Sequence, residues 1–292
     1  MAAMSGVQTR PAPARRPGRT KRPGETLRFG PGPVTRSIIW TVFGLFFLIP
    51  LFSMLEFTLR TAKPGVYNFD RWVLVFSGTT TRYDRVYQGL GNSLVLALVT
   101  VLIMLLVLLP TMILVEVRFR RLRRVLEIVC LLPIMIPAIV MVVGLAPTYA
   151  VVTQIFGSGA WTLAFAYGII VLPYAYRAIQ SNIAAIDVVT LSEAGRSLGA
   201  GWVSVLTRIL VPNLGRGILA ASVLSVAVVL GEFTIASLLS RVNLQTSLLL
   251  VSQSDPFVAV IFALLALLFA FLLLFVVDRL VAAGRRRTAK GS

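Results

Sequence analysis

The sequence has no histidine and only one cysteine, Cys130, which lies within an apolar run. Disulfide scaffolds need paired cysteines, and zinc sites and most acid–base catalysis depend on His or Cys side chains. The G-x-x-x-x-G-K-[ST] phosphate-binding loop of P-loop ATPases does not occur either. We therefore expect no cofactor, no metal and no catalytic residue, and any ATP would have to be hydrolysed by another protein.

Charged residues are also scarce, and they are missing from long blocks of sequence. Hydrophobic residues make up 57% of the chain and charged residues only 13%, whereas soluble domains are about half apolar and about a quarter charged. A helix needs about 20 mostly apolar residues to cross a bilayer. We therefore predict an all-α integral membrane protein with six transmembrane helices, near Ser37–Phe57, Ser93–Val115, Val125–Thr148, Trp161–Ile179, Gly217–Leu239 and Phe257–Val277.

The 28 lysines and arginines are distributed unevenly among the predicted loops. If both termini are cytoplasmic, 22 of these residues fall on the inner side of the membrane and six on the outer side. The positive-inside rule favours that orientation. It also places the polar segment between the fourth and fifth spans in the cytoplasm.

Composition divides the chain into a membrane domain and two basic tails. Residues 1–36 are rich in Pro, Arg, Gly and Ala and cannot bury a core, so we predict a disordered cytoplasmic tail. Contact with anionic lipid is the alternative to a tail that only enforces the orientation. Residues 37–282 contain the six spans, and residues 283–292 form a second basic cytoplasmic tail.

A polar, amphipathic segment, Leu191–Leu214, lies between the fourth and fifth predicted spans. Thr190 and Glu193 have the spacing of a capping box, which predicts that Glu193 caps the start of a helix. Gly199 and Gly201 predict a turn after this helix, because glycine tolerates the left-handed conformation at a helix end. The pattern therefore indicates a helix-turn-helix hairpin under the membrane.

The second helix of the hairpin is predicted from about Trp202 to Val211, and Pro212 is expected to end it. Its apolar face is formed by Trp202, Val205, Leu206 and Ile209. A passive membrane protein has little use for such a segment, so we interpret the hairpin as a docking surface for another protein.

The hairpin resembles the EAA loop of ATP-binding-cassette importer permeases. The family pattern is EAA-x3-G-x9-I-x-L-P, and the chain matches its spacing, with glycine for the second alanine and valine for the leucine. The matching positions are Glu193, Ala194, Gly195, Gly199, Ile209, Val211 and Pro212. The resemblance covers about residues 89–280, with the coupling segment at about residues 180–215, and implies a MetI-like fold.

What the resemblance implies is a type I importer permease in the plasma membrane of a prokaryote, which carries out transport and is not an enzyme. The implied partners are cytoplasmic ATPase subunits, a second permease subunit that is a paralogue of this one, and an extracytoplasmic solute-binding protein. No nucleic acid is expected as a partner. The implied ATPase-coupling residues are Glu193, Ala194, Gly195, Gly199, Ile209 and Pro212.

Glu232 lies within the fifth predicted span, where a charge costs at least about 2.5 kcal/mol and normally faces protein or water. It either lines the translocation path or a gate, or bonds to a neighbouring helix or partner subunit. Ser225 and Thr234 either face the same path or pack closely between helices. The Gly-Glu-Phe sequence also resembles permeases for spermidine and putrescine, iron, thiamine, sulfate and phosphonates, which points first to a polyamine.

The rival interpretation is a self-contained channel or secondary transporter. Such proteins often contain internal repeats or several intramembrane ionisable groups, and this sequence has one deep carboxylate and no convincing duplicated half.

Several prolines lie in the second to fourth spans and act either as hinges or as simple kinks: Pro110, Pro133, Pro137, Pro147 and Pro173.

Overall fold

The computed structural model describes residues 32–61, 65–77 and 83–288. The predicted N-terminal tail therefore lies almost entirely outside the described residues, although its last four residues, 33–36, belong to the first helix. Residues 289–292 of the predicted C-terminal tail also lie outside the described part. The chain divides into two compact units, Met1–Pro50 and Leu51–Ser292.

The described residues form helices joined by short turns, and the one strand-like pairing among them is an isolated bridge between Arg60 and Tyr67. The helices are α1 Pro33–Leu59, α2 Asp70–Ser77, α3 Asp84–Ile103, α4 Leu109–Val117, α5 Arg123–Leu131, α6 Ala138–Phe156, α7 Ala164–Ile183, α8 Val188–Ser197, α9 Trp202–Ser204, α10 Val211–Asn213, α11 Gly215–Gly231, α12 Thr234–Leu238, α13 Leu244–Ser254 and α14 Pro256–Thr288.

Four helical stretches among the described residues are long and apolar enough to cross a membrane: Val34–Leu59, Asp84–Val117, Ala138–Phe156 and Ala160–Ile183. A fifth is obtained if Trp202–Asn213 and Gly215–Gly231, which meet at a bend of 75°, are counted as one span. The apolar part of α14, Pro256–Leu272, is shorter. The membrane character and the helical class agree with the sequence, and the number six stays a prediction.

The third predicted span, Val125–Thr148, is not one helix. A 3₁₀ turn, Leu132–Met135, separates α5 from α6, and Ile136 is extended. Pro133 and Pro137 explain the break, because proline donates no backbone hydrogen bond and disfavours the helical conformation of the residue before it. The continuous apolar helix therefore begins at Ala138 and runs eight residues past the predicted end, to Phe156.

Two other prolines are accommodated inside helices by a widened turn. A π-helical turn, Met104–Leu108, joins α3 to α4 just before Pro110, and a second, Val205–Leu210, precedes Pro212. Each turn ends with an amide that donates a hydrogen bond to the carbonyl of the residue five positions earlier. In an α-helix the acceptor is the carbonyl four positions earlier. A π turn moves the preceding carbonyls away from the proline ring, and the helix continues without the usual break.

The core of the second unit is built where α3, α7 and α11 pack against one another. On α11 a row of small residues recurs every four positions, Gly217, Ala221 and Ser225, and all three are buried. A Cβ at Gly217 would lie 2.6 Å from the Cβ of Asn182 on α7, so only glycine allows this approach. Small residues at this spacing are typical of close packing between membrane helices.

A smaller cluster lies where α2, α13 and α14 meet the start of α3. The Trp72 indole N–H donates to Thr58 Oγ1 at 3.0 Å, and the rings of Phe57 and Phe257 stack with their centroids 4.7 Å apart. These contacts tie the end of α1 to α2 and to the start of α14.

Candidate functional site

The hairpin predicted from the sequence is present, but its first helix starts differently. Asp187 is the N-terminal cap of α8: its carboxylate accepts hydrogen bonds from the Thr190 amide at 3.1 Å and the Thr190 hydroxyl at 2.7 Å. The predicted capping box of Thr190 and Glu193 is therefore wrong, because Glu193 lies exposed in the middle of the helix. Asp187 precedes the predicted cap by three residues and is itself a preferred capping residue.

The Asp187 carboxylate also lies in a positive environment. Its hydrogen bonds from the Thr190 side chain and amide hold its pKa below the ordinary value, and the charge of Arg120 contributes in the same direction. Arg120 belongs to the basic turn after α4, residues 118–124. The basic turn therefore lies on the same side of the molecule as the hairpin.

The turn between the two arms of the hairpin is a Schellman motif, and Gly199 makes it possible. The Ala200 amide donates to the Gly195 carbonyl at 3.1 Å, and the Gly199 amide donates to the Arg196 carbonyl at 2.9 Å. Gly199 has φ of +83°, a conformation that side chains with a Cβ rarely adopt. Gly201, with φ of −67°, has an ordinary backbone and begins the second arm.

The second arm runs from Trp202 to Asn213, two residues past the predicted end at Val211. Pro212 does not end it, because the π turn before the proline removes the clash that stops an ordinary helix. The arm ends at Leu214, where the chain bends by 75° into α11. The hairpin is thus continuous with the most tightly packed helix of the core.

The residues of the motif divide into an inward and an outward set. Gly195 is buried, and a Cβ there would lie 2.5 Å from Ile209 Cδ1 and 3.3 Å from Val205 Cγ2. Glycine at this position therefore lets the two arms approach closely. Pro212, Glu193 and Ala194 are exposed on the outer surface of the hairpin.

The tip of the hairpin is the most exposed apolar part of this region. The Leu198 side chain is 88% exposed and that of Val203 is 71% exposed. The inner face is tied to the body of the protein, because α8 packs against α4. The arrangement is a rigid two-arm element with a small-residue turn and an exposed apolar tip, which suits insertion into a groove on another protein.

Glu232, the second candidate site, lies at a break in the fifth predicted span. The α-helix α11 ends at Gly231, and Glu232 is extended with φ of −81° and ψ of 125° before α12 begins at Thr234. One carboxylate oxygen, Oε2, accepts the Tyr167 hydroxyl at 2.8 Å. Both oxygens accept the Ile235 amide, at 3.0 and 3.1 Å.

Polar side chains replace the backbone hydrogen bonds that the break removes. The Asn243 amide group donates to the Glu232 carbonyl at 2.9 Å and to the Tyr167 hydroxyl at 3.3 Å. The Gln245 side chain donates to the Leu230 carbonyl at 2.8 Å. Because water is absent from the hydrocarbon region, non-helical backbone must be satisfied by the protein itself or by a water-filled cavity. We call residues 232–243 the break segment.

The other end of the break segment is held by α3. The Ser93 hydroxyl accepts the Leu244 amide at 2.9 Å, and the Asn92 side chain donates to the Val242 carbonyl at 2.8 Å. Asn243 and Thr246 form a reciprocal capping box at the start of α13. Three helices, α3, α7 and α13, therefore determine the path of the break segment.

Ser225 and Thr234 are not among the residues that line the apolar pocket beside Glu232. Ser225 is fully buried, and its hydroxyl donates to the Ala221 carbonyl on its own helix; Thr234 is half-buried. An apolar pocket of about 460 Å³ lies beside the break, between α2, α3, α11, α13 and α14, and Glu232 is not among the residues that line it. Leu230, Gly231 and Gln245 line the end of this pocket next to Glu232.

Sequence reasoning did not identify Tyr167 or Asn243, the two buried partners of Glu232. Tyr167 is one of several tyrosines in an apolar helix and carries no motif. Asn243 did have a signal, because Asn-x-x-Thr before an apolar run has the spacing of a capping box and marks a helix start. Among the described residues, no group of three or more His, Cys, Asp and Glu side chains could hold a metal ion.

Comparison with known proteins gives one result. The sequence model of a protein family matches residues 113–290, more than half of the chain, and the family is described as the binding-protein-dependent transport system inner membrane component. The match begins within α4 and covers both the hairpin and the break segment. No curated protein matches the chain significantly.

Proposed function

Because the chain belongs to the family of binding-protein-dependent transport system inner membrane components, we propose that it forms half of the solute path of an ATP-binding-cassette importer. The family consists of transport permeases and not of enzymes. The energy comes from a separate ATPase subunit, which binds the hairpin through its exposed residues. The proposed partners are two such ATPase subunits, a second permease subunit that is a paralogue, and an extracytoplasmic solute-binding protein.

The division of the hairpin into two sets of residues carries this proposal. Gly195 and Ile209 hold the two arms together, whereas Glu193 and Ala194 and the apolar tip at Leu198 remain exposed. Packed helices move as rigid bodies, so a displacement imposed at the tip passes along the second arm. The second arm continues into α11 across the bend at Leu214, which gives ATPase movement a direct route to the membrane core.

We propose that the break segment is the part of the path that this movement reaches. It directly follows α11, and its position depends on hydrogen bonds that involve Tyr167 on α7, Ser93 on α3 and Asn243 at its own C-terminal end. Glu232 acts there by holding the segment in place, since its carboxylate is already bonded to Tyr167 and Ile235. Ser225 contributes to the packing of α11 on α7, and Thr234 starts the helix after the break.

The proposed solute is a polyamine or a similar small solute, and the resemblance of Gly231-Glu232-Phe233 to permeases of that subgroup supports it. Because the Glu232 carboxylate is occupied, we assign selection of the solute mainly to the binding protein. The test is to identify the binding protein that operates with this chain and to measure which solute it holds. A binding protein that is specific for a sugar or an amino acid would contradict the polyamine assignment.

The coupling role is tested by Gly199→Trp. The variant adds a bulky side chain at the turn, in a backbone conformation that disfavours any Cβ. We expect the subunit to insert into the membrane while uptake is abolished and the ATPase no longer co-purifies with it. If uptake and ATPase co-purification both survive, the coupling role is wrong.

Gly157→Trp is the matched control. Gly157 also has a positive φ, of +80°, and also has open space where a Cβ would lie. It ends α6 on the side of the membrane predicted to face outward. This variant adds the same bulk, and the backbone of Gly157, with ψ of 180°, also strongly disfavours a Cβ; we expect it to retain its ATPase. Loss of the ATPase in both variants would show that the effect at Gly199 is not specific to the hairpin.

A further inference from the structure

A second pocket lies where the end of α4 meets the turn of the hairpin. It has a volume of about 340 Å³ and is lined by Leu114, Val117, Arg118, Arg196, Ala200, Gly201 and Trp202. Arg118 is the first residue after α4, and Arg196 lies in the last turn of α8. Two guanidinium groups from different elements therefore line the same pocket as an indole ring.

Within the part of the chain that the structure describes, neither arginine takes part in an ion pair. The ion pairs of the described residues are Arg60 with Glu56 and Arg123 with Glu116, and no hydrogen bond from the side chain of Arg118 or Arg196 occurs within the described ranges. The basic turn, residues 118–124, adds further positive charge close by. Guanidinium groups form strong, often bidentate hydrogen bonds with phosphate oxygens. The pocket therefore suits a phosphate group.

The remaining walls of the pocket are apolar, which a freely soluble anion would not require. Leu114 and Val117 belong to the apolar stretch Asp84–Val117, one of the candidate membrane spans, which ends one residue before Arg118. Leu114 is 36% exposed, so an apolar side chain of the pocket wall is accessible from the surroundings of α4. Tryptophan is enriched at the level of the lipid headgroups, where one part of the ring is apolar and another is wet.

We propose that this pocket binds the headgroup of an anionic phospholipid, with the phosphate between Arg118 and Arg196 and the acyl chains along Leu114 and Val117. Basic pockets beside membrane helices on the cytoplasmic side are known to bind such headgroups. The bound lipid connects α4 to the turn of the hairpin and restrains the element that we propose to contact the ATPase. The proposal goes beyond the transport function, and the lipid site stands whether or not the hairpin couples to an ATPase.

The test uses quenching of Trp202 by brominated lipids. The other three tryptophans, Trp40, Trp72 and Trp161, are replaced by phenylalanine, and the full chain is placed in nanodiscs that contain either brominated phosphatidylglycerol or brominated phosphatidylcholine at equal mole fraction. We expect stronger quenching by the anionic lipid. The double variant Arg118→Gln, Arg196→Gln should weaken the preference for phosphatidylglycerol over phosphatidylcholine about tenfold or more, because each substitution removes a charge-assisted contact with the phosphate.

The control variant is Arg121→Gln with Arg124→Gln, which removes the same charge from exposed residues of the basic turn that do not line the pocket. This control variant should keep most of the preference for phosphatidylglycerol over phosphatidylcholine. An equal loss in both double variants would mean that only diffuse charge attracts the lipid and would overturn the site. Release of the quenching by soluble glycerol phosphate would assign the pocket to a soluble anion and overturn the lipid assignment.

A second measurement needs no tryptophan replacement. The wild-type chain should unfold at a higher temperature in phosphatidylglycerol nanodiscs than in phosphatidylcholine nanodiscs, and the Arg118→Gln, Arg196→Gln variant should lose that difference. In the complete assembly with its ATPase, Trp202 should still be quenched by the anionic lipid. If the ATPase abolishes this quenching, the arginines contact an acidic surface of the ATPase and the lipid proposal is wrong.

Discussion

Replacing Gly195 by alanine tests the close packing of the two hairpin arms. A Cβ at this position would lie 2.5 Å from Ile209 Cδ1, so one of the two groups must move. Overpacking of this kind costs about 1–3 kcal/mol, and the low end applies because Cδ1 is the end of a flexible side chain. Alanine gains about 1 kcal/mol over glycine within a helix. The net expectation for Gly195→Ala is a loss of up to about 1 kcal/mol.

The partner variant Ile209→Val removes the same Cδ1 atom that the new methyl group would meet. Alone it should cost about 0.5–1.5 kcal/mol, the usual range for this change. The double variant keeps the helix-propensity gain without the clash, so its stability should be close to that of the wild type. Simple addition of the two single effects predicts a loss of about 0.5–2.5 kcal/mol. The expected coupling between the two positions is therefore of the same size, about 0.5–2.5 kcal/mol.

The assay is equilibrium unfolding of the four proteins, purified in one mild detergent and followed by circular dichroism. Gly144→Ala is the matched control: Gly144 lies inside α6, and nothing lies within 4 Å of a Cβ there. It reports the propensity gain alone. If the effects of Gly195→Ala and Ile209→Val simply add, the arms do not touch as described, and the explanation of glycine at this position fails.

Three further predictions concern other parts of the molecule. Tyr167→Phe should lower the unfolding temperature, because it removes a bond to the Glu232 carboxylate and such losses cost about 1–3 kcal/mol; an unchanged temperature would contradict the geometry. Asp187→Ala should speed hydrogen exchange at the start of α8. Since the pKa of Asp187 is lowered, its stabilising charge is present above the unfolded pKa, about 4, and is lost as pH falls through the folded value. Cys130, which is 2% exposed, should resist maleimide until the protein is denatured, whereas Leu198→Cys should react, and only from the cytoplasmic side.

The hairpin could be predicted from the sequence because its determinants are local. A glycine at a helix end and an apolar face of period 3.6 act within a few residues, and Gly199 adopts the expected left-handed conformation. The error at its start has a local cause as well. Asp187 and Thr190 are both acceptable caps, and the sequence pattern does not show which of them the preceding turn places correctly.

The break at Glu232 could not be predicted because its determinants are distant in sequence. Tyr167 precedes Glu232 by 65 residues, and Ser93 precedes Leu244 by 151. Apolar composition alone indicates a continuous helix through this region, and only these tertiary hydrogen bonds make an interruption tolerable. The widened turns before Pro110 and Pro212 were missed for a related reason, since a proline signals a helix end unless the turn before it can expand.

The dispersed support of the break segment has a consequence for how the protein is made. During synthesis Glu232 leaves the ribosome after Tyr167, which donates to its carboxylate, but before Asn243, which donates to its backbone carbonyl, so the break first meets the lipid with only part of its hydrogen-bonding set. A backbone carbonyl without a partner is costly in the hydrocarbon region until its donor arrives. The last helices to be inserted therefore complete a structure begun by earlier ones, and a chain truncated before Asn243 would present an unsatisfied backbone break to the quality-control machinery of the membrane.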